Sequence, residues 1–244
     1  IKLNKILKER NIKTCFIKKQ YIDQVDEQKI LKKNGELFIS RKRIDAIKQA
    51  ENANYKVAII DDGLQDTKIN YDIRIVCFNT INWIGNGMIL PSGPLRENIN
   101  NLKKYEHIFL NGNSEELESH KKFLTNINPN VNIHIGVYEI TNVKEFNLND
   151  KFLIFSGIGN HKTFVEMIKK YGFEVLKDIE FPDHYNYTDV DLNKIVDEAK
   201  KLNCKIITTE KDYFRLEDKN LSEIKFIKSE LKLINEENLL KFII

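Results

Sequence analysis

The chain has 244 residues, of which 41% are hydrophobic and 31% are charged, and its formal net charge is +3. This length and composition suit one large or two modest globular domains, and the total charge gives no sign of a nucleic-acid-binding stripe or an acidic tail. Cys15, Cys77 and Cys204 are far apart and odd in number, so neither a disulfide framework nor a metal cluster is indicated. No run reaches the roughly 18 to 20 apolar residues of a spanning helix, and no signal peptide is visible.

The first fifty residues are locally basic, with 14 Lys and Arg against 6 Asp and Glu. Such an excess suits a surface that faces phosphates, anionic lipid or nucleic acid, and solvated helix faces in a Lys-rich protein are the alternative interpretation. The chain begins with Ile1 rather than Met, inside a predicted helix. We therefore expect a further segment upstream of Ile1.

Helices and strands are predicted to alternate along residues 1–132. Apolar residues at helical spacing predict a helix near the N-terminus and helices over about 24–33 and 41–53. The predicted strands are the apolar segments 15–17, 37–40, 57–60, 73–78 and 107–110. The last three are continuous apolar runs, which are typical of parallel strands covered on both faces. This alternation predicts an α/β layer fold.

A second, smaller α/β domain is predicted after residue 150. Residues 133–150 contain two extended stretches around a polar turn and no helical period, so they are interpreted as a linker hairpin. Strands and helices then resume at 151–155, 161–171, 188–202, 205–209 and 225–228, followed by a final helix. The predicted domains are therefore 1–132, a linker at 133–150, and 151–244.

Two adjacent acids, Asp61 and Asp62, end the apolar strand predicted at 57–60. The carboxyl ends of parallel strands open onto the crevice where ligands bind, so these carboxylates are placed to meet a ligand. Phosphate-transferring enzymes hold magnesium with acids at such a position. Asp and Gly are also ordinary turn residues, so a purely structural turn is the alternative.

A loop rich in glycine and proline, GNGMILPSGPLRE at 85–97, ends in Arg96 and Glu97. Glycine and proline restrict this loop to a defined shape, and an arginine on a rigid loop can clamp a phosphate through two hydrogen bonds. The alternative is a surface loop with an incidental arginine.

Five segments carry a resemblance to a known family: DDGLQ (61–65), the loop at 85–97, SGIGN (156–160), FPDHY (181–185) and TTEKDYFRL (208–216). In this order they resemble the tetraacyldisaccharide 4′-kinases, the lipid A 4′-kinases of Gram-negative bacteria. The resemblance runs over essentially the whole chain, and the pairing of DDGxQ with GNGxxLPxGPLRE is long enough to be specific. It implies a P-loop-kinase-like parallel sheet domain joined by a hairpin linker to a second α/β domain.

The resemblance also implies a reaction. ATP, with Mg²⁺, would supply its γ-phosphate to the 4′-hydroxyl of a tetraacyl glucosamine disaccharide 1-phosphate, a lipid A precursor. The enzyme would act as a peripheral protein at the cytoplasmic face of the bacterial inner membrane, with no nucleic-acid partner. The oligomeric state does not follow from the sequence, and a monomer is the simplest expectation.

The resemblance implies a catalytic role for Asp26 in VDEQ, with Glu27 beside it, and for His184 in FPDHY. A histidine bridged to a carboxylate suits proton removal from a sugar hydroxyl. Without the resemblance, His184 would be interpreted as a surface-loop histidine. Asp62, Asp61 and Glu27 would hold the metal or its waters, and Arg96 would act in catalysis by clamping phosphate. The residues proposed to position the lipid head group are Gln65, Asn86 and Glu97.

Nucleotide-binding roles are implied less specifically for Gly157, Gly159 and Lys211. The two glycines would approach the adenine or form a plain strand-to-helix turn. Lys211 and Asp212 follow a strand end, where they would contact nucleotide or cap the next helix.

The sequence departs from the family pattern at three places. KKQY at 18–21 stands where Arg-Gly-Tyr is expected, and His161 stands where proline is common. No GxxxxGK sequence occurs, so the phosphate-binding P-loop is expected to lie before Ile1. We expect this fragment alone to be inactive. The alternative function is a degenerate, non-catalytic relative that binds an anionic glycolipid or a partner, and a glycine-rich loop in the upstream reading frame would argue against it.

Overall fold

Parallel strands dominate the sheets of the computed structural model, which describes residues 1–20, 25–112, 115–216 and 223–244 and, of residues 25 and 26, only the backbone. The chain separates into two compact units, Ile1–Arg74 and Ile75–Ile244. The domain limits predicted from the sequence remain a proposal about which segments fold as units. No described helix combines the length and the apolar character needed to cross a membrane.

The first unit contains a parallel sheet with its earliest strand in the centre. Its strands are β1 (Thr14–Lys19), β2 (Glu36–Ser40) and β3 (Val57–Ile60), in the order β2–β1–β3. Its helices are α1 (Lys2–Glu9), α2 (Val25–Asn34) and α3 (Arg43–Asn52). Cys15 and Ile17 of β1 are buried against Ala46 and Ala50 of α3, and these small alanines let the helix approach the sheet closely.

One sheet of the second unit is mixed. Its strands are β4 (Ile75–Asn79), β5 (His107–Asn111), β6 (Asn132–Ile140) and β11 (Ser229–Ile234). The first three are parallel, and β11 pairs antiparallel with the free edge of β6. The helix α4 (Leu117–Ile127) buries Leu124 in a core with Ile108 and Leu110. A short 3₁₀ helix, Ile99–Lys104, adds Leu102 to this core.

The other sheet of the second unit is parallel throughout. Its strands are β7 (Lys151–Ser156), β8 (Glu174–Glu180), β9 (Lys205–Thr209) and β10 (Ile224–Ile227), in the order β10–β9–β7–β8. Its helices are α5 (His161–Lys170), α6 (Asp189–Leu202) and α7 (Glu210–Arg215), and α8 (Glu236–Leu240) follows β11 near the end of the chain. The helix α6 begins at a capping box of Thr188 and Asp191 and ends at Asn203 in the left-handed conformation.

The hairpin predicted for residues 133–150 is wrong as local structure. Asn132–Ile140 forms one continuous strand, β6, which pairs with β5 and β11 and does not fold back on itself. A short 3₁₀ turn, Val143–Glu145, then leads towards β7. The physical reason is that both sides of β6 find strand partners from distant parts of the chain, and a periodicity within one segment cannot reveal them.

Candidate active site

The carboxyl edge of the first sheet holds a buried lysine between two carboxylates. Lys18 is the penultimate residue of β1, and its side chain is only 3% exposed. Its Nζ donates a hydrogen bond to Asp61 Oδ2 at 2.8 Å and another to Glu27 Oε2. Burial acts to lower the pKa of Lys18, but the hydrogen bonds and charges of the two acids outweigh burial and raise it. The charged ammonium thus ties α2 and the end of β3 to the end of β1.

The turn that follows β3 is fixed by contacts to its backbone. Arg43 Nη2 donates to the carbonyl oxygen of Asp62 at 2.7 Å, and the Tyr71 hydroxyl donates to that of Gly63 at 2.6 Å. A Cβ on Gly63 would lie 2.6 Å from Ile60 Cγ2, so a side chain cannot be accommodated there without a shift. Asp62 adopts a left-handed conformation with φ 52°, and its side chain and that of Asp61 are exposed. The turn therefore presents both acids at the strand end.

The acids of this edge fit a hard divalent cation. The side chains of Asp61 and Glu27 are 49% and 47% exposed although each binds Lys18. Among the described residues, no three or more His, Cys, Asp or Glu side chains converge as a complete metal cage. Magnesium does not require such a cage, because it binds through one or two carboxylates together with waters and phosphate oxygens. Asp62, Asp61 and Glu27 are thus suitable magnesium ligands.

The loop at 85–97 is braced from inside by an asparagine. Asn86 Nδ2 donates to the carbonyl oxygen of Ser92 at 2.8 Å, and Asn86 Oδ1 accepts from the amide of Met88 at 3.1 Å. A Cβ on Gly93 would lie 2.2 Å from Asn86 Oδ1, so only glycine fits beside this brace. Asn86, predicted to position the substrate, therefore also has a structural task within the loop.

The end of this loop presents an exposed arginine beside an anchored glutamate. Arg96 is exposed, and Glu97 is half-buried. Glu97 accepts hydrogen bonds from Asn101 Nδ2 and from the Tyr105 hydroxyl, both at 3.1 Å. Glu97 thus fastens the loop to the 3₁₀ helix that follows it, next to the predicted phosphate clamp. Gln65, the other predicted head-group residue, is exposed at the end of the DDGLQ turn.

A buried aspartate organises the carboxyl edge formed by β7 and β9. Asp212 has no exposed surface, and its Oδ2 accepts from Thr209 Oγ1 at 2.7 Å and from the amide of Gly157 at 3.1 Å. Its Oδ1 accepts from Arg215 Nη1 at 3.2 Å. Thr209 caps α7 by accepting from the Asp212 amide at 3.0 Å. Of the two roles left open for Asp212, the contacts support the structural one.

His184 lies on the FPDHY loop against this aspartate-centred network. Its backbone is left-handed with φ 61°, and its amide donates to the carbonyl oxygen of Gly157 at 3.1 Å. Its ring is 43% exposed, and Arg215 Nη2 lies 3.0 Å from Nδ1. Burial and the neighbouring Asp212 charge raise the pKa of Tyr187, which packs under the same loop. The loop thus holds a partly exposed imidazole ring on a well-packed backbone.

The predicted nucleotide residues of this unit surround the same loop. A Cβ on Gly157 would lie 2.9 Å from the Tyr187 hydroxyl, and a Cβ on Gly159 would lie 3.2 Å from Asp183 Oδ2. Lys211 Nζ is 3.9 Å from Asp183 Oδ1. The structure therefore brings Gly157, Gly159 and Lys211 together with His184. The close packing gives Gly157 a structural reason to be glycine, besides the nucleotide-binding role that stays a prediction.

Two basic residues of these edges, Lys18 and Arg215, were not predicted as site residues. Lys18 begins the KKQY segment and lies in the apolar strand β1, where a lysine is a signal that an acidic partner must be near. Arg215 lies inside the TTEKDYFRL segment but gives no comparable signal of its role, because Gly157 and His184 are 58 and 31 residues away in the chain. Asp26 belongs to α2, but its side chain lies outside the described part of the chain.

The fold and these edges define a class of protein. Parallel α/β sheets, acids suited to magnesium at a strand end, an exposed arginine on a braced loop and a positioned histidine together characterise a phosphate-transferring enzyme of the kinase-like α/β class.

Comparisons with known proteins narrow this class to one family. Residues 12–244 match the family model described as Tetraacyldisaccharide-1-P 4'-kinase. The chain is 56% identical over 239 residues to a tetraacyldisaccharide 4'-kinase of Pelagibacter ubique (strain HTCC1062), covering 98% of this chain and 76% of the relative. It is 32% identical over 258 residues to the protein of that name from Rickettsia canadensis (strain McKiel), covering 98% and 77%. The chain belongs to the tetraacyldisaccharide-1-P 4'-kinase family, as the sequence motifs predicted.

A solved structure shares the fold. It is the crystal structure of an "apo" form of LpxK from Aquifex aeolicus in complex with ATP, which superposes with a TM-score of 0.64 at 20% sequence identity. The similarity covers 99% of this chain and 81% of that one. The likeness confirms the kinase-like α/β fold class predicted from the sequence.

Proposed function

We propose that this protein catalyses ATP-dependent phosphorylation of the 4′-hydroxyl of a tetraacyl glucosamine disaccharide 1-phosphate, a step of lipid A biosynthesis. The observation that carries this proposal is the family match over residues 12–244, together with 56% identity to a tetraacyldisaccharide 4'-kinase across 98% of the chain. The acids and the arginine described above supply the chemistry that phosphate transfer requires.

The carboxyl edge of the first sheet is proposed to serve the phosphates. A bound magnesium ion would supply positive charge to neutralise the charge that develops on the phosphates during transfer. Asp62 and the exposed parts of Asp61 and Glu27 would hold it. Lys18 keeps Asp61 and Glu27 in fixed orientations, so little rearrangement of these side chains is needed when the cation binds. Arg96 is proposed to clamp a phosphate with its planar guanidinium.

Asp26 and His184 are proposed to act in the removal of the proton from the sugar hydroxyl. The support is the family motif around each residue and the positioning of the His184 ring by Gly157 and Arg215. Residues that act as a unit are strongly non-additive. In the complete gene product, the double variant with alanine at positions 26 and 184 should therefore lose little more activity than the worse single variant. Independent multiplication of the two losses would contradict a shared step.

The decisive assay follows phosphate transfer from ATP to the tetraacyl disaccharide 1-phosphate in detergent and magnesium. We expect Asp62→Ala to lower the maximal rate about a hundredfold and to alter the magnesium dependence, as removal of one preorganised electrostatic contact does elsewhere. Asp45→Ala is the matched control, because Asp45 is an exposed acid of the same unit on α3. A complete gene product that binds the lipid but transfers no phosphate would favour the non-catalytic alternative.

Arg96→Lys gives a second test of the phosphate side. Lysine keeps the charge but loses the two-pronged hydrogen bonding, so we expect a loss of about tenfold or more in activity. The control is the opposite exchange, Lys103→Arg, on the 3₁₀ helix that follows the loop, and it should leave activity unchanged. Wild-type turnover of Arg96→Lys would remove Arg96 from the phosphate site.

We also propose that the protein docks peripherally on the cytoplasmic face of the inner membrane, where its acylated substrate resides. Support comes from three consecutive apolar side chains at the tip of the 85–97 loop: Met88, Ile89 and Leu90 are 56%, 43% and 60% exposed. Such a cluster is suited to partition into a lipid surface. Replacing all three with serine should weaken co-sedimentation with phosphatidylethanolamine–phosphatidylglycerol vesicles. Val190→Ser, at an equally exposed valine of α6, is the control, and unchanged sedimentation of the triple variant would contradict the proposal.

A further inference from the structure

Arg215, the last residue of α7, joins three parts of the second unit through one guanidinium group. Its Nη1 donates to the carbonyl oxygen of Gly157 at 3.0 Å and to Asp212 Oδ1 at 3.2 Å. Its Nη2 lies 3.0 Å from Nδ1 of His184. The side chain is only 17% exposed, so these contacts hold it in one orientation. The arginine is thus fixed from behind by a buried acid and faces the imidazole in front.

The chemistry of the two groups decides which ring nitrogen carries the hydrogen. A guanidinium has five N–H donors and no acceptor, and it stays protonated in proteins. The hydrogen bond between Arg215 and His184 therefore requires Nδ1 of the ring to be the acceptor. In the neutral imidazole the hydrogen must then reside on Nε2.

We propose that Arg215 is a positioning residue that fixes the tautomer and the orientation of His184, so that Nε2–H is the group that His184 offers to the reaction. This inference rests on the proposed catalytic role of His184. Its consequence is that neutral His184 acts as a hydrogen-bond donor through Nε2, to a carboxylate or another oxygen that takes the substrate proton. The ring itself has no nitrogen lone pair left to accept that proton.

The surroundings of the ring agree with this role. The His184 amide is held by the carbonyl oxygen of Gly157, which is also an acceptor of Arg215, so backbone and ring are fixed to the same point. Nε2 lies 3.9 Å from Asp183 Oδ1, which is longer than a hydrogen bond. Asp183 therefore does not compensate for Arg215 by binding the other side of the ring.

A double-mutant cycle tests the proposal through activity. In the complete gene product, Arg215→Gln should lower kcat about tenfold, the equivalent of one charge-assisted hydrogen bond, with little change in KM. In the His184→Ala background the same substitution should cause no further loss, because Arg215 acts through the ring. Arg215→Lys should lie between wild type and Arg215→Gln. Lys177→Gln removes an exposed cation from β8 and should leave kcat unchanged.

An equal loss from Arg215→Gln in both backgrounds would overturn the proposal, since Arg215 would then act only by bracing Gly157 and Asp212. The imidazole ¹⁵N resonances of His184, assigned by their absence from His184→Ala, give a readout independent of catalysis. We expect an unprotonated, hydrogen-bonded Nδ1 in the wild type and a mixture of tautomers in Arg215→Gln.

A wild-type Nδ1 that carries the hydrogen would overturn the proposal even if Arg215→Gln failed to fold. Full activity of His184→Ala would instead refute the catalytic role of His184 and therefore the positioning role, while the resonances would still report the hydrogen bond itself.

Discussion

Two buried charges, one in each unit, illustrate opposite ways of fixing a functional edge. Lys18 is a cation held by two carboxylates, and Asp212 is a carboxylate held by Arg215, Thr209 and the amide of Gly157. The partners of Lys18 are about half exposed, whereas the partners of Asp212 are largely buried. This difference teaches that the stability lost on removing a buried charge depends on how deeply its polar partners are buried, and not only on the burial of the charge itself.

The largest effect is expected at Asp212. Asp212→Ala leaves a guanidinium, a hydroxyl and a backbone amide without their acceptor in a buried place, so we expect a loss of about 3 to 5 kcal/mol in the free energy of unfolding. Urea unfolding measures it. Asp197→Ala on α6 is the exposed-acid control in the same unit. If Asp212→Ala lost as little stability as Asp197→Ala, the result would contradict the idea that buried partners make the removal of Asp212 costly.

A buried polar pair without charge sharpens the comparison. His107 Nδ1 and His134 Nε2 share a hydrogen bond at 3.1 Å between β5 and β6. Burial lowers the pKa of both rings, and for His134, with the added effect of His107, it does so to about 4. Both rings are therefore neutral near pH 7, as the pair requires.

The sign of the pH dependence follows from these pKa values. The unfolded chain takes up the proton of His134 near pH 6.5 and the folded protein only near pH 4, so stability is lost as pH falls between these values. The total loss is about 3 kcal/mol, at about 1.36 kcal/mol for each pKa unit. We expect unfolding measured from pH 7 to pH 4 to show this slope, and His134→Leu to flatten it. Equal slopes in the two proteins would contradict a neutral buried pair.

A smaller effect is expected at Lys18. Lys18→Met fills the same space with an apolar side chain and leaves Asp61 and Glu27 able to take up water, so we expect a loss of about 1 to 2 kcal/mol. The reverse change, Asp61→Asn combined with Glu27→Gln, leaves the ammonium buried without a counter-charge and should be more destabilising in the same unfolding assay. A larger loss of stability in Lys18→Met than in the double variant would show that the carboxylates need the lysine more than the lysine needs the carboxylates.

An exposed ion pair sets the lower end of the scale. Lys177 Nζ lies 2.7 Å from Glu198 Oε1 between β8 and α6, and the side chains are 44% and 31% exposed. Water and salt screen such pairs, so Lys177→Gln should leave the unfolding midpoint within experimental error. A resolvable destabilisation would mean that exposure is a poor guide to the energetics of ion pairs in this unit.

Strands that are continuous apolar runs were predictable from the sequence, whereas strands that mix charged and apolar residues were not. The predicted strands at 57–60 and 205–209 coincide with β3 and β9, because apolar runs of this length are typical of parallel strands. β8 was not predicted, since four of its seven residues in EVLKDIE are charged and it lies at the edge of its sheet. β11 was missed for the same reason.

The candidate site shows a similar division. Asp61 and His184 stand in short motifs that a sequence displays directly. The pairing of each with its supporting cation is not displayed in this way, because Lys18 meets Asp61 across 43 residues and Arg215 meets His184 across 31. A role that depends on folding-dependent proximity has no local signature, so only the three-dimensional structure reveals it.

The pairing of β11 with β6 has a consequence for biosynthesis. β6 is complete once residue 140 has been made, but its antiparallel partner ends at residue 234. At about 5 to 20 residues per second, a ribosome leaves this nine-residue edge without its partner for roughly 5 to 20 seconds. The strands β7–β10 are synthesised within that interval and can fold first. The edge of β6 is therefore open to edge-to-edge association until β11 emerges, and a chaperone would protect the nascent chain during that interval.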